Sequence, residues 1–209
     1  MSDGVGLRER KKRETRQHIS DVATGMFLAR GFDEVSVAEV AEAAGVSKMT
    51  VFNYFSRKED LFFDRGEETV DLLSAAVAAV GPDEPPLAGL RRLVLDLIDR
   101  RHALSGMGDG FGQFWRVVIG SPTLQASARE RIEGAEALLA GLLANRLGEE
   151  GRSERPRLMA ALFVAAYRTE FLATVARQLA GERTADIIED HVARINRALD
   201  AVDRAVDGL

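Results

Sequence analysis

The sequence predicts an all-α protein. A small N-terminal three-helix unit holding a helix-turn-helix precedes a larger helical region. Three observations lead to this. Helix formers dominate, above all Ala, Leu, Arg and Glu, and only 5 of the 209 residues are proline. Apolar residues recur at helical spacing along most of the chain, with no strand-like alternation. Glycine, serine and proline punctuate these runs where helices should start and stop.

The first helix comes from residues 10–31, charged at the front and then periodic. Ile19, Val22, Ala23, Met26 and Phe27 give it one apolar face, and Gly31 ends it. Ser36 opens the second, with Glu39 three residues on in a capping-box pattern. Val37, Val40, Ala41 and Ala44 form its apolar face. Gly45 breaks it, and Ser47 starts a third, short helix after a two-residue turn. Two helices joined by a tight turn containing glycine are the outline of a helix-turn-helix.

The third helix divides its residues. Val51 and Phe55, with Val46 just ahead, fall on one face and should pack inward. Ser47, Lys48, Thr50, Asn53 and Tyr54 point elsewhere. Hydroxyls, an amide and an ammonium are the groups that bond phosphates and base edges. A stripe of this kind is either a solvated face or a DNA-reading one. The capped pair and the basic segment around it favour the second.

These residues carry a resemblance. Residues 10–61 resemble the N-terminal DNA-binding domain of TetR-family transcriptional regulators. The matching positions are Phe27 to Phe32, Ser36 to Ala41, Gly45-Val46-Ser47, Thr50, Phe55, Lys58, Glu59 and Leu61. The resemblance covers about the first third of the chain. It implies a DNA-contacting set of Ser36, Val37, Ser47, Lys48, Met49, Thr50, Phe52, Asn53, Tyr54 and Lys58. In it, Lys48 and Thr50 touch bases or phosphates, Tyr54 the backbone, and Lys58 a phosphate from the start of a fourth helix. Phe52 departs from the tyrosine common there. It loses one possible phosphate bond and offers a thymine methyl an apolar contact instead.

Composition fits this reading. Cysteine is absent, which excludes disulfides, thiolate metal sites and a cysteine nucleophile. Met1 to Leu7 carry no apolar signal core, and no run of about 18 apolar residues suits a membrane span, so a soluble cytoplasmic protein is expected. The net charge of −5 divides unevenly. Residues 1–58 hold ten Lys and Arg against eight Asp and Glu, a net +2, and the remainder carries −7. All four lysines (Lys11, Lys12, Lys48 and Lys58) lie in the first part. Coding bias explains that blandly; a compact ammonium for phosphate contact explains it functionally. Arg8, Arg10, Lys11, Lys12, Arg13 and Arg16 concentrate the charge in an arm that either reaches the DNA backbone or minor groove or is a solubilising tail.

The rest divides into further helices. Ser56 and Glu59 suggest a capped fourth helix reaching about Val80, stopped by Gly81-Pro82-Asp83-Glu84-Pro85-Pro86. Another spans about Leu87 to Leu104, then a glycine-rich loop follows from Ser105 to Gly112. That loop is no dinucleotide fingerprint, because no strand precedes it. A short aromatic segment follows. Ser121-Pro122 starts a helix to about Leu147, with proline at the first position. A polar loop from Gly148 to Arg155 precedes two last helices, about Pro156 to Ala180 and Ala185 to Val206. The expected division is a DNA-binding domain over residues 1–55 and an effector-binding and dimerisation domain over 56–209.

Two features of the second region point to partners. Ile188, Val192, Ile195, Leu199, Val202 and Val206 form a heptad seam, and Ala160, Ala161, Ala165, Ala166, Ala173 and Ala176 allow close helix approach. The seam is buried within the chain, across a two-fold, or both; the resemblance implies a homodimer through the last two helices. Phe111, Phe114, Trp115, Phe163, Tyr167 and Phe171 hold six of the thirteen aromatics, with Arg168, Thr169, Glu170 and Thr174 nearby. They are either ordinary core or the lining of a small-molecule pocket. The resemblance favours an effector pocket formed by Phe111, Phe114, Trp115, Phe163, Tyr167, Glu170 and Phe171. The resulting expectation is a ligand-responsive repressor that binds a palindromic double-stranded DNA operator as a homodimer, with no cofactor, metal or membrane partner. An enzyme fares poorly: His18, His102 and His191 are scattered, and no nucleophile elbow, phosphate loop or metal pair is present. A third reading keeps the regulator but makes its pocket vestigial.

Overall fold

The computed structural model describes residues 3–108, 110–149 and 153–207. Asp109 of the expected glycine-rich loop and residues 150–152 of the expected polar loop lie outside them. Among the described residues the regular structure is helical: α1 (Asp3–Arg30), α2 (Val37–Ala43), α3 (Lys48–Tyr54), α4 (Gly66–Ala78), α5 (Ala88–Asp99), α6 (Phe111–Gly120), α7 (Pro122–Leu147), α8 (Glu154–Leu179) and α9 (Thr184–Val206). Two 3₁₀ turns, Lys58–Leu61 and Ala103–Ser105, supplement them. The chain separates into two compact units, residues 1–65 with 116–127, and residues 66–115 with 128–209.

The first unit is built on α1. Ile19, Ala23 and Phe27, four residues apart, are fully buried. Phe32, Val40, Val51, Phe55, Leu61 and Phe62 close around them. The Phe27 ring meets Phe32 at 4.9 Å and Phe62 edge-on at 5.8 Å. Ser121, in the turn between α6 and α7, donates to Asp33 at 3.1 Å. The segment expected to be a basic arm or tail is helical, since α1 begins at Asp3.

The fourth helix starts ten residues later than its sequence suggests. Ser56 does not cap it; the Asp60 carboxylate accepts from the Arg57 amide at 2.9 Å and closes a 3₁₀ turn instead. The cause lies in α1. The Ser20 hydroxyl donates to the Leu61 carbonyl at 3.1 Å, and Arg16 donates to the Asp64 carbonyl at 3.0 Å. Those carbonyls would otherwise accept from the helix four residues on. The turn also lets the adjacent Leu61 and Phe62 both enter the core.

In the second unit, α4, α5, α7, α8 and α9 share one core that includes Val77, Leu90, Ile98, Leu143, Phe163 and Leu199. The α4–α5 approach requires Gly89, where a Cβ would fall 1.9 Å from the Ala76 carbonyl oxygen. Arg91 of α5 clamps α9, donating to Asn196 at 3.2 Å, Asp200 at 2.7 Å and Asp203 at 2.9 Å.

The α9 seam finds its partner inside the chain. Ile195, Leu199, Val202 and Val206 are buried in this core, and Ile188 and Val192 pack against it. The outward apolar positions lie on α8, where Leu158 and Leu172 are 37% and 45% exposed with exposed Ala165 midway. α8 is also long and apolar enough, by length and composition, to cross a membrane, contrary to the reading of the bare sequence. An alanine-rich helix with one face in a core and another apolar outside meets that criterion without spanning anything.

Candidate nucleic-acid interface and the aromatic cluster

The helix-turn-helix is held by caps at both helix starts. The Ser36 hydroxyl accepts from the Glu39 amide at 3.2 Å, and Glu39 returns the bond to the Ser36 amide at 2.8 Å. Those Ser36 bonds, with Arg30 at 2.8 Å, hold the Glu39 carboxyl down at about 2. Gly45 takes the left-handed conformation, φ +67°, that the tight turn needs. Ser47 then caps α3 by accepting from the Thr50 amide at 3.0 Å, and its hydroxyl pairs with that of Thr50 at 2.8 Å.

The short α3 is too small to persist on packing of its own. Val51 and Phe55 anchor it by burial. Arg16 locks its end: it donates to the Tyr54 carbonyl at 3.0 Å and lies 4.3 Å over the Phe55 ring. His18 plays the same part for α2, with its ring nitrogen 3.2 Å from the Ala44 carbonyl. Sequence reasoning placed Arg16 in the basic arm and gave His18 no role. The available signal was position: Arg16 lies three and seven residues before Ile19 and Ala23, on the face α1 buries.

The expected reading face is outward. Ser36, Ser47, Lys48, Met49, Phe52 and Asn53 are exposed, Met49 at 69% and Phe52 at 44%. Val37, Thr50 and Tyr54 are half-buried beside them. The Lys48 ammonium lies 5.9 Å from the Phe52 ring. Lys58 differs. Its ammonium donates to the Phe32 carbonyl at 2.5 Å and sits 4.1 Å over the Phe32 ring. Partial burial lowers its pKa from the ordinary lysine value. In this conformation it braces the turn after α1 instead of facing outward.

The second unit gathers most of the expected pocket residues. Phe111 and Phe114 stack at 5.9 Å, and Phe171 meets Phe111 and Trp115 edge-on at 5.5 Å each. Tyr167 adjoins Phe171 at 5.9 Å and donates to the Leu104 carbonyl at 2.9 Å. Burial pushes its hydroxyl pKa up. Phe163 belongs instead to the main core. Glu170 pairs with Arg194, at 3.6 Å, and not with Arg168. Gly106 makes room for Phe171, since a Cβ there would lie 2.9 Å from the ring, and its φ is +77°. Sequence reasoning missed Arg194, His191 and Gln178, although His191 interrupts the apolar row Ile187–Ile195 on α9.

Comparison with known proteins accounts for both units. Residues 19–64 match the family described as bacterial regulatory proteins, tetR family, and residues 112–201 match the MftR C-terminal domain. The chain is 33% identical over 171 residues to the HTH-type transcriptional regulator TcmR of Streptomyces glaucescens, covering 79% of this chain and 75% of that protein. It is 33% identical over 94 residues to the HTH-type transcriptional regulator AcrR of Shigella flexneri, covering 44% and 43%. Its fold is similar to that of NalD, described as the secondary repressor of the MexAB-OprM multidrug efflux pump in Pseudomonas aeruginosa. There the TM-score is 0.58 at 18% identity, over 89% of this chain and 97% of NalD. With its capped helix-turn-helix, its all-helical second unit and these relatives, the chain belongs to the TetR family of transcriptional regulators.

Proposed function

We propose that the protein is a ligand-responsive repressor that binds a palindromic operator as a homodimer in the cytoplasm. The observation that carries the DNA role is α3. Its capped start and pinned end leave Lys48, Met49, Phe52 and Asn53 exposed together on a rigid helix. Lys48 supplies charge for a phosphate or a guanine edge, Asn53 is suited to an adenine edge, and Met49 and Phe52 offer apolar contact to thymine methyls. Ser36 and Val37 at the start of α2 approach the backbone, and Thr50 and Tyr54 flank the contact. Lys58 reaches a phosphate only by leaving the Phe32 carbonyl.

One helix of seven residues reads few bases. A two-fold dimer doubles the site and sets two such helices about 34 Å apart in successive major grooves. The α8 row Leu158, Ala165 and Leu172, spaced by sevens, supports an interface on α8 and α9. The switch reading rests on α6. Its first half, Phe111–Trp115, belongs to the unit holding the aromatic cluster, and its second half belongs to the DNA-binding unit. A ligand that alters the first half therefore has a continuous helix through which to bias the second. It must bind one state more tightly, since equal affinity shifts nothing.

The experiment is selection of DNA fragments by the purified protein, followed by anisotropy titration of the recovered site. Lys48→Ala and Thr50→Ala should weaken binding while leaving melting and size unchanged. Unaltered affinity in both variants would remove α3 from the interface.

A further inference from the structure

Three buried polar atoms in the second unit have no hydrogen-bond partner and fall along one stripe of α8: Trp115 Nε1, His191 Nε2 and Gln178 Oε1. Trp115 packs on Phe171 at 5.5 Å. His191, fully buried, bonds Thr174 at 2.7 Å. Gln178 is the next residue of the stripe, and its amide nitrogen donates to the Gly106 carbonyl at 2.9 Å, which leaves its oxygen as the free atom. Phe171, Thr174 and Gln178 span two turns, about 10 Å of helix.

The hydrogen count fixes what each atom wants. Arg194 donates to the Thr174 hydroxyl oxygen at 2.9 Å, and arginine only donates. Thr174 therefore spends its single proton on His191 Nδ1. Burial keeps this imidazole neutral, so the remaining proton sits on Nε2 and makes it a donor. The stripe thus presents two N–H donors and, at the Gln178 end, one acceptor. Native proteins rarely leave such buried groups unmet. The charged neighbours are already matched: Arg194 has Glu170 at 3.6 Å and Asp190 at 3.3 Å. The rings of Phe111 and Phe171 supply flat apolar surface.

We infer that this stripe binds an uncharged, flat aromatic molecule of about two or three fused rings, with a carbonyl oxygen facing the Trp115 and His191 N–H groups and a hydroxyl facing Gln178. This rests on the proposed effector role and names the class of effector. Charged molecules of the same shape are disfavoured because no unmatched ion meets them there.

The test uses the full chain and three probes, 6-hydroxy-2-acetylnaphthalene, its carboxylate analogue 6-hydroxy-2-naphthoate and the cationic 6-(aminomethyl)-2-naphthol. Calorimetry measures affinity, and emission from Trp115, the single tryptophan, locates the site. The ketone should bind at least tenfold more tightly than either ion. It should also exceed the hydrocarbon 6-ethyl-2-naphthol by about tenfold, an advantage that falls in Trp115→Phe or in His191→Phe. Equal or tighter binding of an ion, no binding of the ketone, or an advantage unchanged in both variants overturns the inference. Ketone binding as expected with operator DNA still held leaves the class standing and overturns the effector reading.

Discussion

Acid should loosen the second unit through His191. The side chain is fully buried between Ile187 and Ile195, and Thr174 is its hydrogen-bond partner. Burial, and then the Arg194 guanidinium, lower its pKa from 6.5 to about 4, against a smaller opposing pull from Asp190. A histidine depressed in this way favours folding fully above its unfolded pKa. The advantage is lost as pH falls from 6.5 towards 4, because the unfolded chain takes up the proton first. Each pH unit between the unfolded and folded values is worth about 1.4 kcal/mol, so the whole effect is about 3 kcal/mol, of which about 2 kcal/mol is lost by pH 5. Urea unfolding followed by Trp115 emission, on wild type and His191→Gln between pH 7.5 and 4.5, isolates it. Carboxylates common to both proteins cancel in the difference. The stability difference between wild type and variant should shrink or invert by about 2 kcal/mol between pH 7 and pH 5. A difference that stays flat across that window would refute the buried neutral imidazole.

Three further outcomes are expected. Arg16→Met keeps the aliphatic stem over Phe55 but frees the Tyr54 and Asp64 carbonyls; operator affinity should fall at least tenfold while helicity by circular dichroism is retained. Lys58→Ala should flatten the salt dependence of DNA binding by about one unit of slope if the ammonium swings out to a phosphate. An unchanged slope with lower thermal stability would assign it wholly to the Phe32 carbonyl. Leu172→Arg, on the exposed α8 row, should convert a dimer to a monomer in sedimentation and weaken operator binding; a dimer that persists would move the interface elsewhere.

Local signals were legible in the sequence. The Ser36 capping box, the left-handed Gly45 and the Ser121-Pro122 helix start each depend on residues within a few positions, so α2, α3 and α7 could be placed directly. What escaped depends on distant partners. The fourth helix begins late because Ser20 and Arg16, more than forty residues earlier, occupy its would-be carbonyls. The α9 heptad announces an apolar seam but not which surface covers it, and the chain's own core does. Lys58 announces a charge but not that Phe32 meets it. The aromatic cluster was visible as composition. Its polar half was not, since Thr174, His191 and Arg194 come together only when α8 packs on α9.

The claim that α3 reads DNA is tested most directly by titrating the selected operator with wild type and with a Lys48→Ala, Asn53→Ala double variant at several salt concentrations. The account predicts enriched fragments carrying an inverted repeat with half-sites about one helical turn apart, and affinity for them that falls steeply with salt. It predicts that the double variant loses discrimination between operator and random DNA while melting as wild type does. No enriched sequence, or a double variant that discriminates as well as wild type, would contradict it.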